Sequence, residues 1–524
     1  MKVTGVAALG VVAAAPVTAG PAKLAPDAAL AGDFNVRDFG AAGNGKALDT
    51  PAINKAIAAA AAAGGGTVHV PAGTYLCYSI HLKSNVRLQL ASGAVIVAAD
   101  PPKEKGQEGY DLHESNDPGK NYQDFGHNHW HNSLMWGEGL QNISICGPGL
   151  IWGKGISRGE FQGPIAELSG VANKCIALKD CRGVILRDFS LLHGGHLGIL
   201  TTGVDNMLID NVKIDTNRAG IDMDSCRNVR ISNCSVNAPW DDAICLKSSY
   251  ALGSPRAAEM ITISDCMVSG NFEEGTLLDG TLKRFPPNAD IDRNGRIKFG
   301  TESNGGFKNI TISNCVFDGC FGLAILSVDG AVIEDVTISN ITMRATVDSP
   351  IFIRLGARMR GPAGASIGAI RRVNISNIIS CSSSSLVCSM IAGIPGHRIE
   401  DIKIKNVLVL HSGGGTRTEE ARELEEKEKV YPEPNMFGNT PAHGLLIRHA
   451  QGIEISGYKV IAAASDVRPC FFLDDVERAD FANIKADPAP DTHLFALNNV
   501  KDFSVANCKS VADVHIAEAK QTKL

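Results

Sequence analysis

A seven-residue phrase that alternates apolar and polar residues recurs along this chain. Clear copies are Asn228–Cys234, Asn309–Cys315 and Asp335–Ile341, and the first reads Asn-Val-Arg-Ile-Ser-Asn-Cys. Looser copies start at Asn142, Gly183, Asn206, Met260, Arg372 and Asp401. Alternation of β-branched or aliphatic residues with polar ones is the period of a strand with one buried face. The phrase therefore predicts a repeated β-strand.

The spacing of the copies predicts how these strands assemble. Successive starts lie 41, 23, 22, 32, 49, 26, 37 and 29 residues apart, so the shortest unit has about 22 residues and the longer spacings contain inserted loops. A single strand of this size cannot bury its face alone, whereas stacked copies share a continuous core. The prediction is an all-β solenoid, a parallel β-helix whose neighbouring coils lie about 4.8 Å apart.

A solenoid grows along one axis, so residues 32–515 are expected to form a single domain in spite of the length of 524 residues. The run Ile53–Ala63 predicts a helix capped by Asp49 or Thr50, with Pro51 in its first turn, that covers the open end of the first coil. The remaining expected features are loop insertions at about 101–136, 270–296 and 413–437, a charged helix at Thr418–Lys429, and a C-terminal tail at 516–524.

Residues 1–31 are expected to be an export signal with its linker. Lys2 precedes a Gly/Ala/Val-rich stretch to Val17 that is too short to span a bilayer, so a periplasmic or extracellular location is predicted. A disordered Ala-rich tail is the alternative. The net charge of −6 argues against nucleic acid or an anionic membrane surface as partner, and no membrane span is predicted.

Four of the 14 cysteines, Cys234, Cys266, Cys315 and Cys508, share one repeat position. Stacking would place them in one buried column, which favours packing over disulfide bonds. The sequence contains no C-x-x-C pair, so we predict no structural zinc site, and no metal or cofactor is expected.

Two adjacent carboxylates, Asp241 and Asp242, open an apolar run. Neighbouring strand residues point to opposite sides, so packing alone gives no reason for the pair. Asp222 and Asp224 lie about one coil earlier, with Asp222 20 residues before Asp242. Stacking is expected to gather these acids, and their repulsion raises at least one pKa, which yields a protonated acid beside an ionised base. Capping of coil turns is the alternative for each, and for Asp224 it is equally well supported.

Such a pair of carboxyls is what cleavage of an acetal requires, and a separation of about 6.5–9.5 Å leaves room for a water and inverts the product. Other polar residues nearby are candidates for substrate binding, although each can equally be a solvated surface residue. Arg354, with Arg358 and Arg360, can form an anion clamp. The substrate-binding candidates are Lys247, Glu302, Lys298, Arg296, Arg354 and His196.

Three segments carry a resemblance to a known family: Phe34–Tyr75, Asp-Ser-Cys-Arg-Asn-Val at 224–229, and Asp-Asp-Ala-Ile-x-x-Lys-Ser at 241–248. They resemble glycoside hydrolase family 28, the polygalacturonase-like enzymes of the pectin-degrading β-helix superfamily. The resemblance implies a right-handed helix and hydrolysis with inversion, in which Asp241 is the general acid and Asp242 helps to activate the water.

The chain also departs from that family. The family's Asn-Thr-Asp-Gly-Ile-Asp signature here has Ala219 in place of a water-activating Asp, a duty that Asp222 is expected to share. Its Gly-His-Gly segment aligns near 293–295, without a His, and its carboxylate-gripping Arg-Ile-Lys motif reads Ala-Ile-Leu at 324–326. Either the Arg354 cluster, Arg296 or Lys298 replaces that grip, or the cleaved sugar is not a plain galacturonate.

The expected activity is therefore inverting hydrolysis of a pectic poly- or oligosaccharide, with exo-action because long insertions suggest a closed pocket. Two alternatives stay open. A pectate-lyase-like β-eliminase would need a Ca²⁺ site of several carboxylates and an Arg or Lys base. A non-catalytic carbohydrate-binding β-helix is the other alternative, and it would explain why several of the family's site residues are absent from this chain.

Overall fold

The computed structural model describes residues 32–104, 107–115, 122, 126–158, 169–286, 289, 291–382 and 386–524. The predicted export signal at 1–31, and parts of the first two insertions, lie outside these residues. The described chain winds into a parallel β-helix with three faces in each coil, here named A, B and C. This confirms the predicted fold class.

The strands of the first coils stay separate on each face. Face A holds Asp33–Asn35, Gly66–Val70, Val86–Leu90, Gln141–Cys146, Arg182–Arg187, Asp205–Asp210, Arg227–Ser232 and Ala258–Ser264. Face B holds Asn44–Leu48, Gly73–Cys77, Ala94–Ala98, Leu150–Trp152, Ser190–Leu192, Lys213–Asp215, Ser235–Asn237 and Met267–Ser269. Face C holds Ile80–His81, Ser133–Glu138, Lys174–Lys179, Leu197–Thr202, Ala219–Asp224, Ile244–Ser248, Ile297–Ser303, Phe321–Ser327 and Ser389–Ala392.

In later coils the strands run through the corners and serve more than one face. They are Phe307–Asp318, Val332–Leu355, Ala369–Ser382, Ile399–His411, Leu445–Ala462, Phe471–Ala482 and Phe495–Ala506. A short antiparallel hairpin, Phe272–Glu274 with Lys283–Arg284, lies in the second insertion.

The repeated phrase forms face A, and left-handed backbone marks both of its ends. Asn228 (φ 55°) and Asn233 (φ 56°) bracket one copy, and every copy start named above also has a positive φ. Asn and Asp tolerate this region better than most residues because their short polar side chains form local hydrogen bonds. The recurrence of these residue types in the phrase is therefore a requirement of the coil corners.

The corner asparagines also bind one another along the helix axis. The Asn340 amide donates to Asn314 Oδ1 at 3.0 Å and accepts from Asn377 Nδ2 at 2.9 Å, and Asn406 donates to Asn377 at 2.8 Å. This ladder joins coils at a surface-exposed edge.

Replacement of Asn340 separates two contributions of a ladder residue to stability: the hydrogen bonds of its side-chain amide and its tolerance of a positive φ. Asn340→Gly loses the amide bonds but keeps easy access to φ 58°, whereas Asn340→Ala loses both. We expect the alanine variant to be less stable than the glycine variant by about 1–2 kcal/mol, measured as the free energy of unfolding in urea. Equal stabilities would show that the corner conformation contributes nothing.

The core residues that follow the corners include Cys234, Cys266 and Cys315, which are buried, and all 14 cysteines are free thiols. The predicted packing column is confirmed for these three. Cys508 is partly exposed instead, because it follows Phe495–Ala506, the last parallel strand, where the stack of coils ends.

Both ends of the solenoid are closed. Helix α1, Thr50–Ala62, buries Ile53 and Ile57 against the first coil, as predicted. Asp49 occupies the N-cap position but makes no cap bond, because its carboxylate accepts from the amides of Ala42 (2.6 Å) and Gly43 (3.1 Å).

Two sequence predictions about local structure are wrong. The expected tail at 516–524 lies largely in a strand, Val514–Lys523, that pairs antiparallel with the last parallel strand and covers its edge. The expected helix at Thr418–Lys429 shrinks to Arg417–Glu420, because backbone groups farther along bind the β-helix: the Glu428 carbonyl accepts from Ala357 N at 2.6 Å. The other helical segments of the described residues are the 3₁₀ turns Val36–Phe39 and Pro434–Phe437. No helix among the described residues is long and apolar enough to cross a membrane.

Candidate active site

The outer surface of face C carries most of the candidate residues. Alternation turns Ile221, Met223 and Leu246 into the core, so the residues between them point outward. Stacking places Asp222 beside Cys245, followed by Lys298 on the next coil. A polar wall therefore forms across three adjacent coils.

Asp242 lies just before the strand Ile244–Ser248 and is clamped by two cations. Its carboxylate accepts from Arg296 Nε at 3.1 Å and from Lys298 Nζ at 2.8 Å, and it is only 3% exposed. Burial by itself raises the pKa of Asp242, but Lys298 and Arg296 outweigh it and hold the pKa below its usual value. Asp242 is therefore ionised at neutral pH.

Asp241 is the candidate acid with an opening to solvent, since 27% of its side chain is exposed. Its Oδ2 accepts from Arg218 at 3.2 Å, and its Oδ1 accepts from the Asp242 amide at 2.9 Å. The pair thus combines a carboxyl that is open to solvent with a buried carboxylate that stays charged.

Asp222 belongs to a second, neighbouring cluster. It pairs in register with Cys245, 23 residues later, while the Gly220 amide donates to the Asp242 carbonyl at 3.1 Å. The 20-residue offset expected from the sequence is therefore three residues too short, because adjacent coils pair residues that are 23 positions apart here. The backbone next to Asp242 is that of Ala219 and Gly220. The family's Asp at position 219 would therefore have contributed its carboxylate directly beside Asp242, and Ala219 leaves that place without one.

The Asp222 cluster is buried and rich in ions. Lys247 Nζ lies 2.7 Å from Glu302, 2.8 Å from His127 Nε2 and 3.5 Å from Asp222, and the His127 nitrogen lies 3.1 Å from Asp222. Arg360 pairs with the other oxygen of Glu302. Burial would raise the pKa of Glu302, but Lys247 and its other cationic neighbours hold it well below its usual value.

Asp224, which points the same way as Asp222, is a structural residue. Its carboxylate accepts from the Ser249 amide at 2.7 Å, from the Ser249 hydroxyl and from Ser225 Oγ at 3.0 Å. Burial raises its pKa. The turn-capping alternative holds for this residue.

His196 lies beside the second cluster, with its ring 6.1 Å from that of His127. Burial, together with the positive charges of Arg218 and its neighbours His127, Lys174 and Lys247, holds the pKa of His196 well below its usual value. The side chain is 9% exposed, so it is a buried neutral imidazole at neutral pH.

The buried state of His196 makes stability depend on pH. The unfolded chain binds a proton on this residue below about pH 6.5, whereas the folded chain does not. The contribution of neutral His196 to the free energy of unfolding is therefore present above that pH and is lost on acidification. Each pH unit below this value costs about 1.4 kcal/mol per such histidine. In urea unfolding at about pH 7.5, 6 and 5, His196→Gln should flatten this slope. The exposed His515→Gln is the control, and identical slopes for His196→Gln and wild type would contradict the assignment.

The predicted arginine clamp does not exist. Arg354 is buried and donates to the carbonyls of Gly393 (2.8 Å) and Glu426 (2.6 Å), so it holds the third insertion against the β-helix. Burial lowers its pKa to about 10. Arg358 pairs with Asp329, and Arg360 with Glu302. These three side chains serve separate internal partners.

Two loop residues were not predicted as site residues. His127 comes from the first insertion, 95 residues before Asp222, and Glu433 comes from the third, 137 residues after Arg296. The concentration of histidines in the first insertion was the available signal for His127. Nothing in the local sequence pattern marks Glu433, since the third insertion contains many acidic residues.

In the part of the chain that the structure describes, one group of residues has ligand atoms close enough to hold a metal ion: Glu114, His131 and Glu138, all within 4.8 Å of one another. The Lys179 ammonium already lies 2.8 Å from Glu138 there.

Comparisons with known proteins agree with this architecture. Residues 34–147 match the family described as Rhamnogalacturonase A/epimerase, pectate lyase-like, and residues 166–346 match the Right handed beta helix region. A probable polygalacturonase of Vitis vinifera is 27% identical over 249 residues, 44% of this chain and 48% of that protein. Mannuronan C5-epimerase AlgE3 of Azotobacter vinelandii is 52% identical over 67 residues, 13% of this chain and 4% of that protein. The chain thus spans less than half of these curated relatives.

Solved structures give the same fold over nearly the whole chain. An exopolygalacturonase of Thermotoga maritima superposes with a TM-score of 0.59 at 16% identity, covering 94% of this chain and 95% of the other. A family 28 exopolygalacturonase of Yersinia enterocolitica gives 0.56 at 16% identity, covering 87% and 78%. The chain therefore has the parallel β-helix fold of these polygalacturonases, and parts of its sequence are similar to the pectate-lyase-like family and to a polygalacturonase.

Proposed function

We propose that this protein is an inverting glycoside hydrolase that acts on pectic poly- or oligosaccharide. The observation that carries the proposal is the pairing of solvent-accessible Asp241 with Asp242, which Arg296 and Lys298 keep ionised. Two carboxyls with different environments are what acid and base roles require. The polygalacturonase-like relatives favour a pectic substrate.

In the proposed reaction, protonated Asp241 gives its proton to the glycosidic oxygen as the bond to the anomeric carbon breaks. Water attacks that carbon from the opposite face and loses a proton to Asp242. Asp242 then releases its proton to solvent, and Asp241 regains one. Asp222 lies in the adjacent Lys247 cluster, so we assign to it the positioning of neighbouring groups, with any help to the water exerted through them.

The loops favour exo-action. His127 from the first insertion contacts Asp222, and Glu433 from the third contacts Arg296, so loops contribute to the wall at two neighbouring positions. Walls of this kind favour a pocket that takes a chain end. We also propose export on the basis of residues 1–31, which fractionation of the native cells would test.

The test is a purified preparation incubated with homogalacturonan, rhamnogalacturonan and their oligomers. Hydrolysis should release reducing ends without an unsaturated product, and NMR of the first product should show inversion. Absorbance from a double bond would instead identify a β-eliminase. That alternative is disfavoured because Asp222, Asp242 and Glu302 are each paired with a cation. The carboxylate of Asp224 in the same cluster is held by Ser249 and Ser225. Absence of any reaction would favour a binding protein.

A further inference from the structure

Each cation nearest to the proposed acid pair is in an ion pair, Arg296 and Lys298 with Asp242 and Arg218 with Asp241, although Arg296 Nη1 itself has no hydrogen-bond partner among the described residues. Arg296 is 0% and Lys298 3% exposed, and both hold Asp242. The second guanidinium edge of Arg296 binds Glu433, whose two oxygens lie 2.7 and 2.9 Å from Nη2. The Arg296 guanidinium also stacks over Phe321, 5.1 Å from the ring centroid.

Glu433 is held in this place by the third insertion. The 3₁₀ turn that follows it buries Met436 and Phe437 in an apolar cluster with Phe352, Met390 and Leu446. Two residues earlier, the Tyr431 hydroxyl lies 3.3 Å from Lys298 Nζ. The Glu433 carboxylate is therefore a fixed part of the wall beside Asp242.

The four ions balance within this cluster. Arg296 and Lys298 carry two positive charges, and Asp242 and Glu433 carry two negative ones. A uronate carboxylate arriving here would meet two carboxylates whose countercharges are already in use. Like charges brought together in a partly desolvated site repel one another and weaken binding.

The arginines of the next coils do not relieve this repulsion. Arg354 donates to backbone carbonyls, and Arg358 and Arg360 pair with Asp329 and Glu302. The position of the family's carboxylate-gripping motif is apolar here, since Ala324 and Leu326 are buried in the cluster that seats the third insertion.

We propose that the sugar bound at the cleavage position is uncharged, and that Glu433 is a specificity-determining residue that occupies the place of a substrate carboxylate. This inference rests on the proposed hydrolysis and narrows its substrate. A neutral pyranose, or a uronate whose carboxyl is esterified, satisfies the site because it brings hydroxyl and ester oxygens without a charge.

The test compares oligogalacturonides with their methyl esters, which differ in charge at the same sugar skeleton. Binding is measured by calorimetry, and cleavage by release of reducing ends. Wild type should bind and cleave the methyl ester in preference to the free acid by a factor of about ten or more. Glu433→Gln frees one positive charge and should reduce or reverse this ratio. Glu423→Gln, on the same insertion and exposed, makes the same change of net charge and should leave it unaltered.

Glu433→Asp keeps the charge while shortening the side chain, so it should retain the preference for the ester even if it loosens the insertion. A wild type that prefers the acid, or a ratio unmoved by Glu433→Gln, would overturn the inference while leaving hydrolysis standing. Failure of wild type to cleave either ligand, or any other pectic fraction, would instead overturn the proposed hydrolysis itself, and with it this inference.

Discussion

Asp241→Asn is expected to lower the rate of glycoside hydrolysis by a factor of about 10²–10⁴, the usual contribution of a general acid. The amide cannot donate the proton that the leaving oxygen needs, while it keeps the size of the side chain and can still receive the Asp242 amide bond at Oδ1. The loss should appear in kcat more than in KM, because the proton moves only as the bond breaks. Release of reducing ends from the best pectic substrate measures it.

Asp480→Asn is the matched control, because it makes the same substitution at an exposed aspartate remote from face C. It should keep wild-type activity, and circular dichroism should show both variants folded. If Asp241→Asn released reducing sugar as fast as wild type, the general-acid assignment would be lost. A folded wild type that binds pectic sugar without cleaving it would be a carbohydrate-binding β-helix.

Lys247→Met is expected to destabilise the fold by about 3–5 kcal/mol. The lysine lies 2.7 Å from Glu302 and 3.5 Å from Asp222, and both carboxylates are about 2% exposed. Methionine fills similar volume but leaves two buried negative charges short of their cation, and removal of one partner from a buried ion pair is far more costly than the pair is worth. The free energy of unfolding in urea measures the effect.

Lys308→Met gives the comparison at the surface. Lys308 is 40% exposed and lies 3.4 Å from Glu334, so its loss should cost about 1 kcal/mol or less. Similar losses in the free energy of unfolding for both variants would mean that the Lys247 cluster is well hydrated, so that an unpaired charge there costs little. A large loss of activity without loss of stability in Lys247→Met would place the lysine in contact with substrate instead.

The repeat of apolar and polar residues determined the fold because each copy of the phrase obeys the same two constraints. Alternation sets which face of the strand is buried, and Asn or Asp tolerates the left-handed corner, as at Asn228 and Asn233. Local chemistry also marked the adjacent Asp241 and Asp242, since a pair of carboxylates before an apolar strand has no packing role. These features can be predicted from the sequence because they depend on residues within one coil.

Register and loop contacts depended on the tertiary structure. The coil from Asp222 to Cys245 takes 23 residues, so a count of about 20 misplaced Asp222 by three residues along the strand. Only the hydrogen-bonded pairing of strands fixes that length. His127 and Glu433 reach the site from insertions 95 and 137 residues away from their partners. Sequence alone determined the coil and its acid pair, whereas the folded chain decided which ions neutralise them, because long-range contacts between loops and the helix leave no periodic trace.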